Sequence, residues 1–348
     1  MKYTVCVSCW TFNHRDYIND ALNGFSKQQT NFPFICTIVD DASTDGNQAI
    51  INSYFETNFD LTDSEFFRLE ETQYHTLKCA KHKTNKNCYF AVFLLKENHY
   101  RKKSKLGYVQ PFRKQCKYIA LCEGDDYWTD PLKLQKQVDF MESHQSFSLY
   151  FHNVATKNAL TNKICGLTNK YSNSQQISTK DIIIRGGDLC PTCSLFYRTQ
   201  DLNDYPDFCK NFMTGDYPLQ IYLSLKGNVY YSSDCMGVYR IFTPGSWSDK
   251  NRKNVNRKSF MRKQYKSLCY HKDLYNNFIK HFQGKHETFF KDKYLRDLTI
   301  FVLFCNVPKW MYKIPKPTGK KLWIRYYLVK SRLAFLTDWL GIDIWHIF

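Results

Sequence analysis

The chain has 348 residues, of which 43% are hydrophobic and 17% aromatic, and it carries a formal net charge of +17. At about 100–200 residues per domain this length predicts two domains, and the apolar content excludes wholesale disorder. No apolar run reaches the roughly 18 residues that a membrane-spanning helix needs. Residues 3–10 are too short for the core of a secretory signal, so we expect no such signal.

The positive charge is concentrated in the last third of the chain. Residues 250–348 contain 22 Lys and Arg against 6 Asp and Glu, whereas residues 1–249 contain 27 and 26. We therefore expect a nearly neutral domain over residues 1–249, followed by a basic, aromatic-rich helical region over residues 250–348. This asymmetry predicts an anionic partner for the basic region, which is a membrane surface, a nucleic acid or an acidic chain.

Fourteen cysteines are scattered through the chain. In a chain of this length without a secretory signal, reduced and buried thiols are a better interpretation than a disulfide framework. Cys190 and Cys193 form a C-x-x-C pair, but no second pair follows at a zinc-site spacing. A second candidate zinc group consists of His75, Cys79, His82 and Cys88. Its gaps are irregular, so packing and loop roles are favoured for both groups.

Short apolar runs alternate with amphipathic segments in the first half of the chain. The apolar runs predict strands over residues 3–9, 34–39, 89–95 and 117–122. Helical periodicity predicts helices over residues 16–28 and 48–59. A further helix follows Thr129 or Asp130, either of which can cap it, with Pro131 in its first turn.

The rest of the chain is less regular. Residues 61–86 are polar and Lys-rich and predict a helix and a long loop, and residues 100–112 predict a second basic loop. Further strands are predicted over residues 148–154, 194–197 and 229–232, and further helices over residues 218–226 and from residue 254 onward.

This order of elements predicts an α/β fold with a mostly parallel sheet flanked by helices. In such sheets, ligands bind beyond the carboxyl ends of the strands. Two acidic pairs follow predicted strands there: Asp40 with Asp41, and Asp125 with Asp126. Either pair alone would more often be a solvated turn. Two pairs at one edge of a sheet indicate a binding site.

The carboxylates suit two kinds of chemistry. The turn at residues 123–126 offers oxygen ligands to a divalent cation that neutralises a diphosphate, although an acidic helix-capping turn is the alternative. Asp216 is isolated just before a predicted helix. It is either the N-cap of that helix or a general base for an acceptor hydroxyl.

Three separated segments, residues 5–13, 40–45 and 118–131, resemble the family 2 glycosyltransferases, which have a nucleotide-sugar-binding fold of the GT-A type. Residues 119–131 closely resemble a bacterial subset associated with surface polysaccharide synthesis. The resemblance extends in order over roughly residues 1–250. It implies a GT-A-type catalytic domain over residues 1–249.

The resemblance also assigns roles to individual residues. It implies that Asp126 is the metal ligand, at the last carboxylate of an Asp-x-Asp-type motif, and that Asp216 is the catalytic base. The family usually has Glu-Asp there, whereas this chain has Gly215 before Asp216. The implied donor-binding residues are Trp10, Asn13, Asp40, Asp41, Asp125 and Arg240.

Within that set, Trp10 and Asn13 would lie beside the nucleotide. Asp41, with Asp40, would contact the base, and Asp125 would hold the sugar or ribose. Arg240 would pair with the diphosphate, next to a loop at residues 245–248 that closes over the donor.

The resemblance implies an inverting glycosyltransferase of hexosyltransferase type. It would move a sugar from a nucleotide-diphosphate sugar, UDP-linked by expectation, to a hydroxyl of a glycan or lipid-linked acceptor, with Mn²⁺ or Mg²⁺ as cofactor. One alternative is a non-catalytic glycan- or membrane-binding protein on the same fold. Another is a nucleotidyltransferase, although residues 8–13 lack the Gly-, Arg- or Lys-rich loop expected for triphosphate binding.

The basic region mixes cationic and aromatic side chains, notably at residues 321–327, and ends in an apolar stretch at residues 333–348. That composition favours the headgroup region of an anionic membrane. The alternative is a helical subdomain with a solvated basic face. Nucleic-acid binding is not expected, because no nucleic-acid motif accompanies the charge. We therefore expect a cytoplasmic protein, peripheral at the inner face of the membrane.

Overall fold

A computed structural model describes residues 2–100, 102–210, 215–246, 248–249 and 257–305. The chain divides into two compact units. The first unit consists of Met1–Ser178, Gly187–Tyr205 and Tyr222–Asn251, and the second of Thr179–Gly186, Pro206–Ile221 and Arg252–Phe348. The division after Asn251 lies close to the expected boundary between residues 249 and 250. Two shorter segments of the expected first domain group with the second unit, and the boundary between functional domains remains a prediction.

Within the described residues the strands number thirteen. They are β1 (Tyr3–Thr11), β2 (Phe34–Asp40), β3 (Phe59–Asp60), β4 (Arg68–Glu71), β5 (His75–His82), β6 (Cys88–Leu95), β7 (Cys116–Leu121), β8 (Tyr127–Trp128), β9 (Phe147–Asn158), β10 (Lys163–Leu167), β11 (Gln175–Ile177), β12 (Phe196–Arg198) and β13 (Asn228–Ile241). All belong to the first unit and to one sheet.

The α-helices of the described residues are α1 (Ile18–Ser26), α2 (Asn47–Asn58), α3 (Leu106–Arg113), α4 (Lys133–Ser143), α5 (Thr179–Arg185), α6 (Asp207–Lys210), α7 (Asp216–Lys226), α8 (Arg257–His281) and α9 (Glu287–Cys305). Within these ranges, no helix is both long enough and apolar enough to cross a bilayer.

The sheet has the order β11-β13-β9-β12-β7-β1-β2-β6-β5-β3, with β10 beside β9, β4 beside β5 and β8 beside β13. Its centre, β7-β1-β2-β6, is parallel throughout, and β12 and β5 join it antiparallel on either side. Parallel strands must be covered on both faces, which is why these segments read as continuous apolar runs. The predicted α/β fold with a large, mostly parallel sheet is confirmed.

Alternation along the central strands separates two apolar layers. On β2, Phe34, Cys36 and Ile38 pack into one hydrophobic cluster, whereas Ile35 and Val39 pack into the other. Because successive side chains of a strand point to opposite faces, each central strand contributes to both layers. The apolar face of α1 is buried in the same cluster as Phe34 and consists of Ile18, Ala21, Leu22 and Phe25.

Most predicted elements are confirmed, with shifts of one to three residues at most of their ends. Two strands are longer than predicted: β9 extends four residues beyond residue 154, and β13 extends nine residues beyond residue 232.

Helix α4 is present, but it begins at Lys133, and its N-cap is Leu132, which makes no side-chain capping hydrogen bond. Neither Thr129 nor Asp130 is therefore the cap, and Pro131 precedes the first turn. Asp130 Oδ1 instead accepts a hydrogen bond of 2.8 Å from the Leu132 N–H in the turn before the helix.

Two longer segments were also predicted wrongly. Residues 61–86 contain strands β4 and β5 instead of a helix and a long loop, and residues 100–112 contain most of helix α3. In β5 only Leu77 and Ala80 are buried, and they pack into different hydrophobic clusters. The segment therefore lacks the two-residue apolar alternation by which a strand is predicted.

The second unit is organised around a buried carboxylate. Asp297 on α9 accepts hydrogen bonds from Tyr275 Oη at 2.9 Å and from Lys293 Nζ at 2.8 Å. The Tyr275 hydroxyl lies 3.4 Å from the hydroxyl of Tyr217, which donates to the Ile183 carbonyl at 2.8 Å. Burial alone would raise the pKa of Asp297, but the Lys293 ammonium holds it below its ordinary value. The network thereby connects α5, α7, α8 and α9.

The first unit also contains a fully buried lysine. Lys133 Nζ lies 3.8 Å from the centroid of the Trp128 ring and donates to Gln137 Oε1 at 2.8 Å. No carboxylate of the described residues forms an ion pair with it. Burial lowers the pKa of Lys133 to about 7, because the charged ammonium loses its hydration.

We predict that Lys133 makes stability rise with pH. Since its folded-state pKa lies below the unfolded value near 10.4, the unfolded chain binds the extra proton between pH 7 and 10. Urea unfolding at pH 7, 8 and 9 checks this. The free energy of unfolding of wild type, relative to that of Lys133→Met, should rise by about 1 kcal/mol per pH unit. Lys27→Met, at an exposed site, should track wild type. A constant difference between wild type and Lys133→Met would contradict this pKa.

Gly124 permits a close backbone approach between β1 and the turn after β7. Its N–H donates to the Trp10 carbonyl at 2.9 Å, and a Cβ built on it would lie 2.5 Å from Thr11 Oγ1 and 3.0 Å from Ile18 Cδ1. Any side chain here forces the turn away from β1.

Gly124→Ala should therefore destabilise the first unit by about 1–3 kcal/mol. Gly107→Ala is the matched control, because a Cβ there meets nothing within 4 Å and Ala favours the helix. Thermal unfolding of the three proteins checks this, and equal melting temperatures for Gly124→Ala and wild type would refute the close approach.

Candidate functional site

The carboxyl ends of the central parallel strands converge at one edge of the sheet. Strand β1 lies between β2 and β7, with Thr11 opposite Asp40 and Ser8 opposite Leu121. The Asp41 N–H donates to the Thr11 carbonyl at 3.0 Å, and the Gly124 N–H donates to the Trp10 carbonyl. The two acidic pairs therefore lie on either side of β1, where the sequence placed them.

The loop after β1 is joined to the loop after β2 by side-chain hydrogen bonds. Asn13 N–H donates to Ser43 Oγ at 2.8 Å, and Asn13 Oδ1 accepts from the Thr44 N–H at 2.8 Å. Asn13 and Ala42 have φ angles of 56° and 57°, a left-handed region that Asn tolerates well. The loop after β2 thus fixes the position of Asn13 through Ser43 and Thr44.

Asp40 is buried and fully hydrogen-bonded within the chain. Its Oδ1 accepts from the Ser43 N–H at 2.9 Å and from Gln48 Nε2 at 2.7 Å, and its Oδ2 accepts from Ser43 Oγ at 2.6 Å and Asn47 Nδ2 at 2.7 Å. This carboxylate organises the turn from β2 into α2. Its predicted contact with a donor remains a prediction.

Asp41 is also buried, and its partners come from the segment after β6. Its Oδ1 accepts from the His99 N–H at 2.7 Å, and its Oδ2 forms an ion pair with Lys105 Nζ at 2.8 Å. Lys105 Nζ lies 5.8 Å from the centroid of the Trp10 ring, and the Arg113 guanidinium lies 6.0 Å from it. The half-buried Trp10 ring therefore lies beside two cations, Lys105 and Arg113, the first of which pairs with Asp41.

Lys105 and His99 were not identified from the sequence. Lys105 lies in residues 100–112, which were predicted to be a basic loop, and His99 lies just before that segment. The signal that could have found Lys105 is its place just before α3, a helix obscured by Pro111.

Asp126 lies in the turn after β7 and is 1% exposed. Its Oδ1 accepts a hydrogen bond of 2.7 Å from the backbone N–H of Arg240, whereas its Oδ2 has no partner among the described residues. Burial, and then the neighbouring Asp125 carboxylate, raise the pKa of Asp126 well above its ordinary value. A buried carboxylate oxygen without a donor, beside a second carboxylate, is an environment that a divalent cation would stabilise.

The residues therefore fit a divalent metal that takes its remaining ligands from a substrate. No group of three or more His, Cys, Asp or Glu side chains suited to a metal occurs in the described part of the chain. That finding applies equally to the two candidate zinc groups. A Mg²⁺-type site that uses one or two carboxylates plus phosphate oxygens needs no such group.

Asp125 has partners on three different segments. Its Oδ2 accepts from Thr243 Oγ1 at 2.8 Å and lies 3.8 Å from His14 Nε2, and its carbonyl accepts from Arg240 Nη1 at 2.6 Å. His14 is oriented by its Nδ1, which is 3.2 Å from Thr11 Oγ1. The sequence had suggested neither His14 nor Thr243, because each is a single residue in an unremarkable loop.

Arg240 is 5% exposed and its guanidinium is engaged on several sides. One nitrogen donates to the Asp125 carbonyl and another pairs with Asp20 on α1. The group also lies 4.4 Å from the centroid of the Tyr127 ring and 5.1 Å from that of Tyr17. Arg240 thus connects the acidic turn to α1, and its pairing with a diphosphate remains a prediction.

The loop after β13 is closed by serines. Ser248 Oγ accepts from the Phe242 N–H at 2.7 Å and lies 3.0 Å from Ser246 Oγ. Phe242 has a φ of 65°, a strained value for an aromatic residue. Trp247, part of the loop expected to close over a donor, lies outside the described residues.

Asp216 is the first residue of α7 and belongs to the second unit. Its Oδ1 accepts from the N–H of Tyr217 at 2.9 Å, and Tyr217 is anchored through its hydroxyl in the Asp297 network. The start of α7 is therefore held firmly within the second unit. Its proximity to Asp126 remains a prediction, as do the membrane contacts of residues 321–327 and 333–348, which lie outside the described residues.

Comparison with known proteins gives relatives without an assigned activity. No family model matches the chain. Uncharacterized proteins of Mycobacterium bovis and Mycobacterium tuberculosis are 30% identical to it over 240 residues. The match covers 68% of this chain and 58% of those proteins, so the chain spans less than two thirds of the length of these curated relatives.

Solved structures identify the fold. The 1–349 fragment of S. aureus TarS in complex with UDP-GlcNAc is similar to this chain with a TM-score of 0.52 and 17% identity, covering 97% of this chain and 92% of that one. Its complex with UDP gives 0.51 and 16% over the same shares. The mannosyltransferase PcManGT from Pyrobaculum calidifontis, in complex with GDP-Man and Mn²⁺, gives 0.50 and 11%, covering 99% and 83%. The chain therefore has the GT-A-type fold of glycosyltransferases.

Proposed function

We propose that the chain is an inverting glycosyltransferase that moves a sugar from a nucleotide-diphosphate sugar to a hydroxyl of a glycan or lipid-linked acceptor. The observation that carries the proposal is Asp126, whose unpartnered buried oxygen lies beside Asp125 at the carboxyl edge of a GT-A-type sheet. A UDP-linked donor is the first choice, because the TarS structures contain UDP and UDP-GlcNAc. Surface polysaccharide synthesis is the proposed setting.

Asp126 would hold a divalent metal, Mn²⁺ or Mg²⁺. When bound, such an ion neutralises the negative charge that grows on a diphosphate as its bond to the sugar breaks. The Mn²⁺ in the mannosyltransferase structure supports this choice of cofactor. The protein's own contribution is to keep the carboxylate buried and fixed by the Arg240 N–H, so that no hydration shell competes with the ion.

Asp216 would act as general base. It would take the proton of the acceptor hydroxyl as that oxygen attacks the anomeric carbon, and the nucleoside diphosphate would leave from the opposite face. The configuration at the anomeric carbon is then inverted. No covalent sugar–enzyme intermediate forms, and no nucleophilic side chain paired with a base is needed.

The proposed location is cytoplasmic, peripheral at the inner face of the membrane. The support is the charge of residues 250–348, in which Lys and Arg exceed Asp and Glu by 16. An anionic surface attracts such a region, and a lipid-linked acceptor would be found at the same place.

A metal-dependent donor site should appear as thermal stabilisation. Wild type should be stabilised by UDP in the presence of Mn²⁺, and little by either alone, since the ion joins the diphosphate to Asp126. Asp126→Asn should lose the Mn²⁺-dependent shift, whereas Asp139→Asn, on the exposed face of α4, should keep it. GDP and other nucleoside diphosphates in the same assay identify the base.

An unchanged Mn²⁺-dependent shift in Asp126→Asn would remove the metal assignment. If no nucleoside diphosphate stabilised folded wild type, a non-catalytic binding protein would become the better interpretation.

Replacement of the proposed base should separate binding from turnover. Asp216→Asn should keep the UDP- and Mn²⁺-dependent shift, while transfer to the acceptor falls by about 10²–10⁴-fold because the hydroxyl keeps its proton. Single-turnover transfer from a radiolabelled UDP-sugar measures the effect, with Asp207→Asn, at an exposed position of the same unit, as control. Wild-type transfer rates in Asp216→Asn would exclude it as the base.

A further inference from the structure

An apolar, carboxylate-free hairpin extends from the first unit. It consists of the end of β9 and the whole of β10, residues 155–167, and is called here the β9–β10 hairpin. Leu160, Ile164 and Leu167 are 56%, 56% and 54% exposed, and all five residues of β10 are exposed. Single exposed apolar residues are ordinary, but three large ones on one short hairpin form a patch that calls for a partner.

The charge around this patch has one sign. The 38 residues between Glu142 and Asp181 contain four Lys and neither Asp nor Glu. Lys157 lies opposite Ile164 in the strand ladder, and Lys163 lies opposite Asn158. Neither ammonium forms an ion pair with any described residue. The hairpin thus combines apolar side chains with uncompensated positive charge, which complements an anionic, partly apolar surface.

The edge of β10 is poorly suited to pairing with another strand. Within the described residues, β10 pairs only with β9, so its outer edge is open. However, the register shifts between Ile164 and Gly166, and Gly166 has a φ of 139°. A bulge of this kind interrupts the regular ladder that strand addition requires, and lysines on two copies would repel each other. These features disfavour a second copy of the chain as the occupant.

We propose that the β9–β10 hairpin docks on an anionic phospholipid surface. Leu160, Ile164 and Leu167 would insert into the boundary between headgroups and acyl chains, and Lys157 and Lys163 would bind the lipid headgroups. The transfer of each apolar side chain from water into this boundary is favourable in free energy. Each cation near an anionic bilayer strengthens the attraction. This contact is separate from the one expected of residues 250–348.

The hairpin lies next to the candidate site in the sheet. Lys157 on β9 is opposite Arg240 on β13, and the Ala159 N–H donates to the Ile241 carbonyl at 2.9 Å. Docking of the hairpin would therefore bring the strand that carries Arg240 close to the bilayer. The consequence that the site faces a lipid-linked acceptor rests on the proposed function, whereas the docking itself does not.

Hydrogen exchange of the full chain with vesicles tests the proposal at peptide resolution. Vesicles of phosphatidylcholine with 30% phosphatidylglycerol should slow exchange in peptides covering residues 155–167, and pure phosphatidylcholine vesicles should not. Reading the hairpin peptides separates this contact from any made by residues 250–348. No protection in these peptides, or equal protection by both kinds of vesicle, would overturn the proposal. Protection that grows with protein concentration without vesicles would assign the patch to a second copy.

Substitutions sharpen the test. Ile164→Gln combined with Leu160→Gln should weaken partition onto the anionic vesicles by about 10-fold or more, since two inserted apolar side chains are lost. Leu69→Gln is the matched control, because Leu69 on β4 is 58% exposed and lies outside the hairpin. Lys157→Gln with Lys163→Gln should also weaken partition by about 10-fold and reduce its salt dependence. Wild-type partition and wild-type protection of residues 155–167 in both double variants would refute the inference.

The same variants distinguish this inference from the proposed function. Their melting temperatures and their UDP- and Mn²⁺-dependent shifts should equal those of wild type, because the changed side chains are exposed. If vesicles did not slow hydrogen exchange in the wild-type hairpin, while the UDP- and Mn²⁺-dependent shift was present, docking alone would be refuted. Docking without any nucleotide-dependent shift would refute the proposed function alone.

Discussion

The parallel pairing of β1 with β2 on one side and β7 on the other is the constraint on which the rest of the first unit depends. Three parallel strands in adjacent register end at the same edge of the sheet, so the loops that follow them must share that space. Gly124 then brings the third loop against β1, where no side chain fits. The carboxylates of two loops therefore lie at the same edge of the sheet, on either side of β1, as a consequence of backbone geometry.

Burying four carboxylates at one edge of the sheet is electrostatically unfavourable. The chain offsets this more fully for Asp40 and Asp41 than for Asp125 and Asp126. Asp40 receives four hydrogen bonds and Asp41 forms an ion pair with Lys105, so the oxygens of both have partners within the chain. The Asp126 carboxylate accepts the backbone N–H of Arg240, and the Asp125 carboxylate accepts from the Thr243 hydroxyl. The Arg240 guanidinium donates to the Asp125 backbone carbonyl and pairs with Asp20. One oxygen of Asp126 is left over. This unpartnered oxygen is the physical basis of the proposed metal dependence.

Predictions from the sequence succeeded where local patterns and packing agree. The buried strands β1, β2, β6 and β7 read as apolar runs, because both faces of a central parallel strand are covered. The predictions failed at residues 100–112, where Pro111 and the basic residues obscure helix α3, and at residues 61–86, which lie at the margin of the sheet. There β5 is half-solvated and rich in Lys, so its strand character comes from pairing with β6 and not from its own periodicity. Propensity is a weak guide where neighbouring strands decide.

The sequence alone determined the α/β class, the succession of the central strands and helices along the chain, and the two acidic turns. Each of these depends on residues close together in the chain. Only the tertiary structure decided which carboxylates remain available. Asp40 and Asp126 look alike in the sequence, yet the first is saturated by residues 43–48 and the second has an unpartnered oxygen. Partners such as Arg240, 114 residues from Asp126, reach it only through the fold. Hydrogen-bond saturation is a property of three-dimensional neighbours, and no local pattern records it.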